Sequence, residues 1–267
     1  MILPSPPDIA FKIFNFPIYW YGIIMALSIF ISIITANKLY NVINPDLKHD
    51  TILEGAPIII ISGVLCARLY FCLLNPHHYL SNPLEILNIR EGGLSVHGAI
   101  IGGIFSVIYL SRKYKVKFLN IMDSLSCATI LGQAIGRWGN YFNSEAYGLP
   151  TASQKWGLYI APDNRVSEYA SYNLFHPAFL YESLLNLIAF CLLLFILNKF
   201  GRKYHGITFF SYLSVYSLII FFIEQIRVDS ALNIGTLPFA EFISLILFFV
   251  GIFGIIITCK RNKTVNM

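Results

Sequence analysis

The stretch "IMDSLSCATILGQAIGRWGNYFNSEAYG", residues 121–148, changes character halfway. Its first half is apolar enough to enter a bilayer. Its second half holds Arg137, Asn140, Asn143 and Glu145 among glycines. A guanidinium at the edge of the hydrocarbon demands a partner, a cavity or a headgroup.

The rest of the chain places that mouth in a membrane. Of 267 residues, 56% are hydrophobic and 12% charged, whereas a soluble domain is about 25% charged. The apolar residues come in blocks of bilayer length rather than the ten-residue alternating segments of a barrel, so the spans are helices. The expected fold is an all-α polytopic membrane protein, residues 1–267 forming a single membrane domain. Seven transmembrane helices are expected, at about 17–39, 52–74, 93–111, 119–138, 177–198, 206–225 and 237–259.

Seven spans put the termini on opposite sides. On the side of the C-terminus fall Lys38, Lys48, Arg112, Lys113, Lys115, Lys117, Lys199, Arg202, Lys203, Lys260, Arg261 and Lys263, 12 in all. The other side holds 6: Lys12, Arg90, Arg137, Lys155, Arg165 and Arg227, while Arg68 is within a span. The positive-inside rule therefore puts the C-terminus in the cytoplasm and the N-terminus outside. The net charge of +5 comes from these juxtamembrane clusters, which face anionic lipid, so no nucleic-acid partner is implied. The N-terminus lacks the basic region and cleavage site of a signal peptide, and the first span is expected to remain.

Five cysteines, Cys66, Cys72, Cys127, Cys191 and Cys259, lie within or at the ends of the expected spans, with no CxxC and no metal-ligand spacing. They read as small buried hydrophobes, and no metal or cofactor is expected. Residues 139–176 form one long polar connection on the outer side, a periplasmic head segment expected to hold a strand or two around the turn at Pro162, Asp163 and Asn164. Ala128, Gly132 and Gly136, like Gly98 and Gly102, recur every four positions, and such stripes let helix backbones approach closely. The third and fourth spans are therefore expected to be central.

Gln133, Arg137 and Asn140 share one face if the fourth helix continues that far. A lone arginine there reads as a snorkelling anchor. The company of Asn140, Asn143 and Glu145 favours anion recognition, for which arginine offers a two-pronged grip. At a second outward helix end stand Glu224 and Arg227, with Asp229 just after. Their plain reading is a local pair, but topology puts Arg227 at the level of Arg137. His97, in "REGGLSVHGAIIGG", is either a hydrogen-bonded core residue or a proton carrier near pH 7. Tyr21, in "FPIYWYG", belongs to an aromatic belt and could also donate into a cavity. For Arg68 and Glu182 the plain reading is a pair or network supporting the bundle. Polar groups from several spans thus gather at the outer leaflet around room for an anionic headgroup, which fits lipid-headgroup chemistry or transport. The residues alone do not choose between them.

A resemblance goes further. "GRWGNYFNSEAYG" is similar to the Gly-Arg-x-Gly-Asn-(Phe/Tyr)-x-Asn-x-Glu-x-x-Gly signature of the bacterial phosphatidylglycerol–prolipoprotein diacylglyceryl transferase family. "GGLSVHG", "YWYG", "HPAFLYE" and "EQIRVD" resemble further elements of that family, in its order, between residues 19 and 229; Ala99 departs from a frequent second glycine after the histidine. The resemblance implies an inner-membrane enzyme that moves the diacylglyceryl group of phosphatidylglycerol onto the lipobox cysteine beside a prolipoprotein's signal peptide, giving a thioether and glycerol phosphate. It implies catalytic roles for His97, Arg137, Arg227, Tyr21 and Glu145. It also implies phosphatidylglycerol binding by Arg137, Asn140, Asn143, Gly148 and Arg227. A lipid flippase would instead need a polar pathway reaching the cytoplasmic leaflet, and an intramembrane protease would need motifs that are not apparent in the sequence.

Overall fold

The computed structural model describes residues 1–46, 50–89, 92–153, 155–228, 233–234 and 237–265. Lys48, Arg90 and Asp229 lie outside them. The helices are α1 (Trp20–Ile43), α2 (Thr51–Leu74), α3 (Pro76–Ser81), α4 (Val96–Lys113), α5 (Phe118–Phe142), α6 (Ala178–Phe200), α7 (Ile207–Glu224) and α8 (Phe239–Val265). Short strands accompany them: β1 (Ile2–Leu3), β2 (Ile9–Ile13), β3 (Phe16–Tyr19), β4 (Gly157–Tyr159), β5 (Leu174–Phe175), β6 (Asn233–Ile234) and β7 (Leu237–Pro238).

Six of these helices, α1, α2, α5, α6, α7 and α8, are long and apolar enough to cross a membrane. The chain is a multi-pass, all-α membrane protein. The expected span at 93–111 forms α4, which is not among the six. His97 in its first turn and Arg112 and Lys113 in its last leave only a short apolar middle. The fourth expected span runs on past residue 138 to Phe142, carrying Arg137 and Asn140 on one continuous helix.

Two compact units are distinguishable, residues 37–122 and residues 1–36 with 123–267. In the first, α2 packs on α4. Gly98 and Gly102 face the carbonyls of Cys66 and Ser62, where a Cβ would collide with backbone. The Ser62 hydroxyl also donates to the Gly102 carbonyl at 3.1 Å and bonds the Ser106 hydroxyl. Arg68 turns to the connection before α4, donating to the carbonyls of Glu85, Ile86, Asn88, Gly92 and Gly93. All its donor capacity goes into holding that loop, so it is a structural arginine. Asp50 precedes α2 and accepts from Asn37 at 2.8 Å and Asn41 at 2.6 Å; these donors hold its carboxyl below the usual carboxylate range.

In the second unit α5 is central, as its small residues lead one to expect. Ser28 of α1 donates to the Gly132 carbonyl at 2.7 Å, and Ser183 of α6 to the Ala134 carbonyl at 2.8 Å. Both bonds need backbones in close approach, which the small side chains permit. The α5 carboxylate of Asp123 accepts from the backbone N–H groups of Gly206 (2.6 Å) and Phe209 (2.9 Å), and so caps the start of α7. Helix α7 packs on both α6 and α8.

Beyond α5 the chain builds a small head on the ends of α5 and α6. Tyr147, Leu158, Ile160, Phe175 and Phe179 form its buried core. Strand β1 pairs parallel with β4, and β4 antiparallel with β5. Residues 139–176 thus hold the expected strands and turn, with 3₁₀ turns at Pro162–Asn164 and Ser167–Tyr169. The β2–β3 hairpin was not anticipated. Its turn, Phe14 and Asn15, has φ of 46° and 68°, the left-handed pair of a tight hairpin turn. Phe at the first position hid it, because Asn-Gly or Asp-Gly is the usual signal.

Candidate active site

The site is built on the last two turns of α5. Arg137 and Asn140 follow one another along a single face, and Arg137 Nη1 lies 3.5 Å from Asn140 Oδ1. Past Phe142 the backbone reverses sharply: Ser144 and Ala146 adopt φ of 54° and 53°, a conformation uncommon for residues with a Cβ. Two left-handed residues flanking Glu145 fold its side chain back on the helix end. Glu145 Oε1 accepts from Asn140 Nδ2 at 2.9 Å and from Asn143 Nδ2 at 3.4 Å. Strain at such positions persists only where neighbouring contacts hold it. Here one is the bond between the Ser144 and Ser5 hydroxyls at 2.7 Å.

Arg137 is anchored from behind. Its Nη2 meets Glu182 Oε1 of α6 at 2.7 Å, the Glu182 side chain being 2% exposed and that of Arg137 21%. The approach is that of an ion pair, off the line of an N–H···O hydrogen bond. Tyr216 of α7 is close enough to interact electrostatically with the same guanidinium. One edge of the cation is thus fixed while part of it stays open. Glu182 also interacts electrostatically with Arg227 and Glu224, which places both arginines in one charge cluster.

Arg227 is positioned by two devices. Its Nη1 pairs with Glu224 Oε1 at 2.6 Å, the i, i+3 pair read from the sequence. Its backbone forms an antiparallel bridge with Gly148. Around that bridge, Gly148 N–H donates to the His176 carbonyl (2.8 Å) and Leu149 N–H to the Ile226 carbonyl (2.7 Å). A Cβ on Gly148 would stand 2.8 Å from His176 Cβ and 3.1 Å from both the His176 and Ile226 carbonyl oxygens, so only glycine fits. Gly148 offers no side chain. Its contribution is to stitch the end of α7 to the end of α5.

Tyr21 lies over Gly139, where a Cβ would come within 2.9 Å of its ring. It interacts electrostatically with Glu145 and Arg137. The fold therefore gathers Tyr21, Arg137, Asn140, Asn143, Glu145, Gly148 and Arg227 in one unit. His97 belongs to the other, on the first turn of α4. It is exposed, its ring stacked on Tyr70 at 5.9 Å, and no hydrogen bond to its nitrogens is found among the described residues. The plain reading of a buried, hydrogen-bonded histidine does not describe it.

Residues 8–257 match the sequence profile described as prolipoprotein diacylglyceryl transferase. The chain belongs to the prolipoprotein diacylglyceryl transferase family. Relatives run nearly end to end. A Clostridium novyi (strain NT) protein named phosphatidylglycerol–prolipoprotein diacylglyceryl transferase is 40% identical over 259 residues, covering 96% of this chain and 97% of that one. Proteins of the same name from Acaryochloris marina (38% identical, 95% of this chain and 91% of theirs) and Fervidobacterium nodosum (39%, 91% and 82%) are similar too. Membership in this transferase family agrees with the motif resemblance.

Three further residues, Glu182, Tyr216 and Glu224, surround the two arginines, Glu182 and Glu224 as their ion-pair partners. Glu182 and Glu224 stood out in the sequence as charges in apolar helices, a costly placement that marks function or pairing. Tyr216 gave no signal, since aromatic residues abound in α7. Among the described residues no group of His, Cys, Asp and Glu is arranged to hold a metal ion.

Proposed function

We propose that the chain transfers the diacylglyceryl group of phosphatidylglycerol to the cysteine thiol of a prolipoprotein lipobox, the first step of lipoprotein maturation. The observation that carries this reading is the anchored Arg137, whose Nη2 is held by Glu182 while Nη1 faces the Asn140–Glu145 turn. A phosphodiester is the anion that such a preorganised fork suits.

In the reaction the sulfur attacks the glyceryl carbon, an S–C bond forms as the C–O bond breaks, and glycerol phosphate leaves with the electron pair. Arg137 and Arg227 stabilise the charge that develops on the departing phosphate, a contribution of about 3 kcal/mol per donor in other enzymes. Free cysteine has a pKa near 8.5, so a group must take the thiol proton. We assign this role to His97, which the motif resemblance brings forward and whose imidazole is the side-chain type suited to proton transfer near pH 7. Tyr21 and Glu145 complete the catalytic group; Asn140, Asn143 and Gly148 line or shape the headgroup site. An apolar groove of about 190 Å³ runs between α1 and α6 across α5, lined by Ile24, Leu27, Trp138 and Leu187 among others. Its lining is almost wholly apolar and suits part of an acyl chain.

The full topology belongs to the same reading. Helix α4 is the seventh crossing, its 18 residues rising about 27 Å, close to the hydrocarbon thickness. The N-terminus and residues 139–176 face the periplasm, the C-terminus faces the cytoplasm, and the membrane is the inner one. A reporter fused after Met267 should read as cytoplasmic and one inserted beside Asp163 as external. The reverse pattern would move the site to the wrong leaflet.

The activity is tested with purified protein, phosphatidylglycerol and a lipobox peptide, followed by mass. A diacylglyceryl-sized gain is expected on the peptide and none on its cysteine-to-serine version. An unmodified cysteine peptide would refute the reading.

A further inference from the structure

One helical turn below the Arg137–Glu182 pair lies a second polar layer that the pair does not use. Helices α5 and α6 run antiparallel, so Gln133, four residues before Arg137, and Asn186, four residues after Glu182, belong to the next layer of the same seam. Asn186 is fully buried, yet neither its oxygen nor its nitrogen has a hydrogen-bond partner. The Gln133 Oε1 atom is buried and unpartnered too, while its Nε2 donates to the Tyr212 hydroxyl of α7 at 3.1 Å. Buried amides without partners are rare, and each calls for an explanation, a bound polar group among them.

What this layer offers is chemically specific. Gln133 Oε1 and Asn186 Oδ1 are free acceptors; the Asn186 amide supplies two donors and the Tyr212 hydroxyl a third. None is charged. A cationic headgroup would leave the donors unpaired, and an anionic one would leave the acceptors opposed. Hydroxyl groups, each donating once and accepting twice, satisfy both kinds. The layer sits about 6 Å along the helix from Arg137, a distance a three-carbon polyol spans when its phosphate is held by the guanidinium.

We propose that Gln133, Asn186 and Tyr212 form the subsite for the uncharged diol of the leaving glycerol phosphate, and so select phosphatidylglycerol by its hydroxyls. The inference rests on the transferase reading above. The same diol is present on the lipid before transfer and on the free product after it.

The test compares phosphatidylglycerol with phosphatidylpropanol, which keeps the phosphodiester and chain length but lacks both hydroxyls. The assay uses the full protein in detergent or vesicles. The wild type should prefer phosphatidylglycerol at least tenfold in kcat/KM. Asn186→Leu should lose at least tenfold on phosphatidylglycerol and under twofold on phosphatidylpropanol, bringing the ratio toward one; Gln133→Met should act the same way if the first variant fails to fold. Phosphatidylglycerol added at assay concentration should raise the thermal midpoint of the wild type more than phosphatidylpropanol does, and free glycerol phosphate should inhibit the wild type more strongly than either variant. A wild type indifferent to the hydroxyls overturns the subsite, as does a variant that loses equally on both lipids, because the layer then holds only water. A wild type that turns over neither lipid refutes the transferase reading itself and with it this one.

Discussion

Arg137→Lys is expected to give a folded, membrane-inserted protein whose kcat/KM for the transfer has fallen by roughly 10² to 10³, the cost of one oriented donor at a developing negative charge. A lysine can still meet Glu182, so the buried carboxylate keeps a cation within reach. Its compact ammonium cannot hold Glu182 and also present the parallel N–H pair that a planar guanidinium offers a phosphate. Arg137→Met sharpens the comparison. It leaves Glu182, with its side chain 2% exposed, without the cation in contact with it, and breaking such a pair from one side costs about 3–5 kcal/mol. Loss of thermal stability is therefore expected for methionine and loss of turnover for lysine. A lysine variant with near-normal turnover would reduce Arg137 to an anchor of the bundle.

What the sequence made legible follows from how local each signal is. Spans, their polarity bias and the Arg137–Asn140 face are carried by neighbours along one chain segment, and the continuous helix from Phe118 to Phe142 places them as the periodicity demands. The i, i+3 pair of Glu224 and Arg227 is local in the same way. The partner of Arg137 was not legible. Glu182 stands 45 positions away, and only the antiparallel packing of α6 on α5 brings the two together. Arg68 had the opposite fate. As a charge within an apolar run it resembles Arg137, yet five carbonyls of one loop absorb it. No composition rule separates the two, because the difference is whether a guanidinium keeps an open edge. At α4 the two counts part: the sequence reads as a span over 93–111, whereas α4 is not among the six helices long and apolar enough to cross. Its ends carry His97, Arg112 and Lys113, which lower the hydropathy of the helix as a whole although its middle is apolar.

The backbone bridge at Gly148 is the other feature invisible in sequence, and it yields the second large effect. Gly148→Ala is expected to lower kcat/KM by about 10² or more, although alanine adds only one carbon. The backbone there is not left-handed, so alanine meets no conformational penalty; the whole cost is steric. The new Cβ would press on His176 Cβ at 2.8 Å and on two carbonyl oxygens at 3.1 Å, and relief means opening the bridge. The bonds from Gly148 to His176 and from Leu149 to Ile226 then lengthen, and Arg227, next in the chain to Ile226, moves with them. Displacement of a catalytic group by about 1 Å costs on the order of 10² in rate, while overpacking costs about 1–3 kcal/mol of stability. Gly136→Ala is the control, since its Cβ would find Met25 Sδ at 3.5 Å and Ser28 Oγ at 3.9 Å, ordinary contacts. Within a helix alanine is also favoured over glycine by about 1 kcal/mol, so this variant should be as stable as the parent and turn over within about twofold of it. Steady-state rates and thermal midpoints of the two variants decide the matter. A Gly148→Ala enzyme as active as Gly136→Ala would show that the Arg227 segment tolerates movement, and the bridge would then support the head alone rather than aim the second arginine at the phosphate.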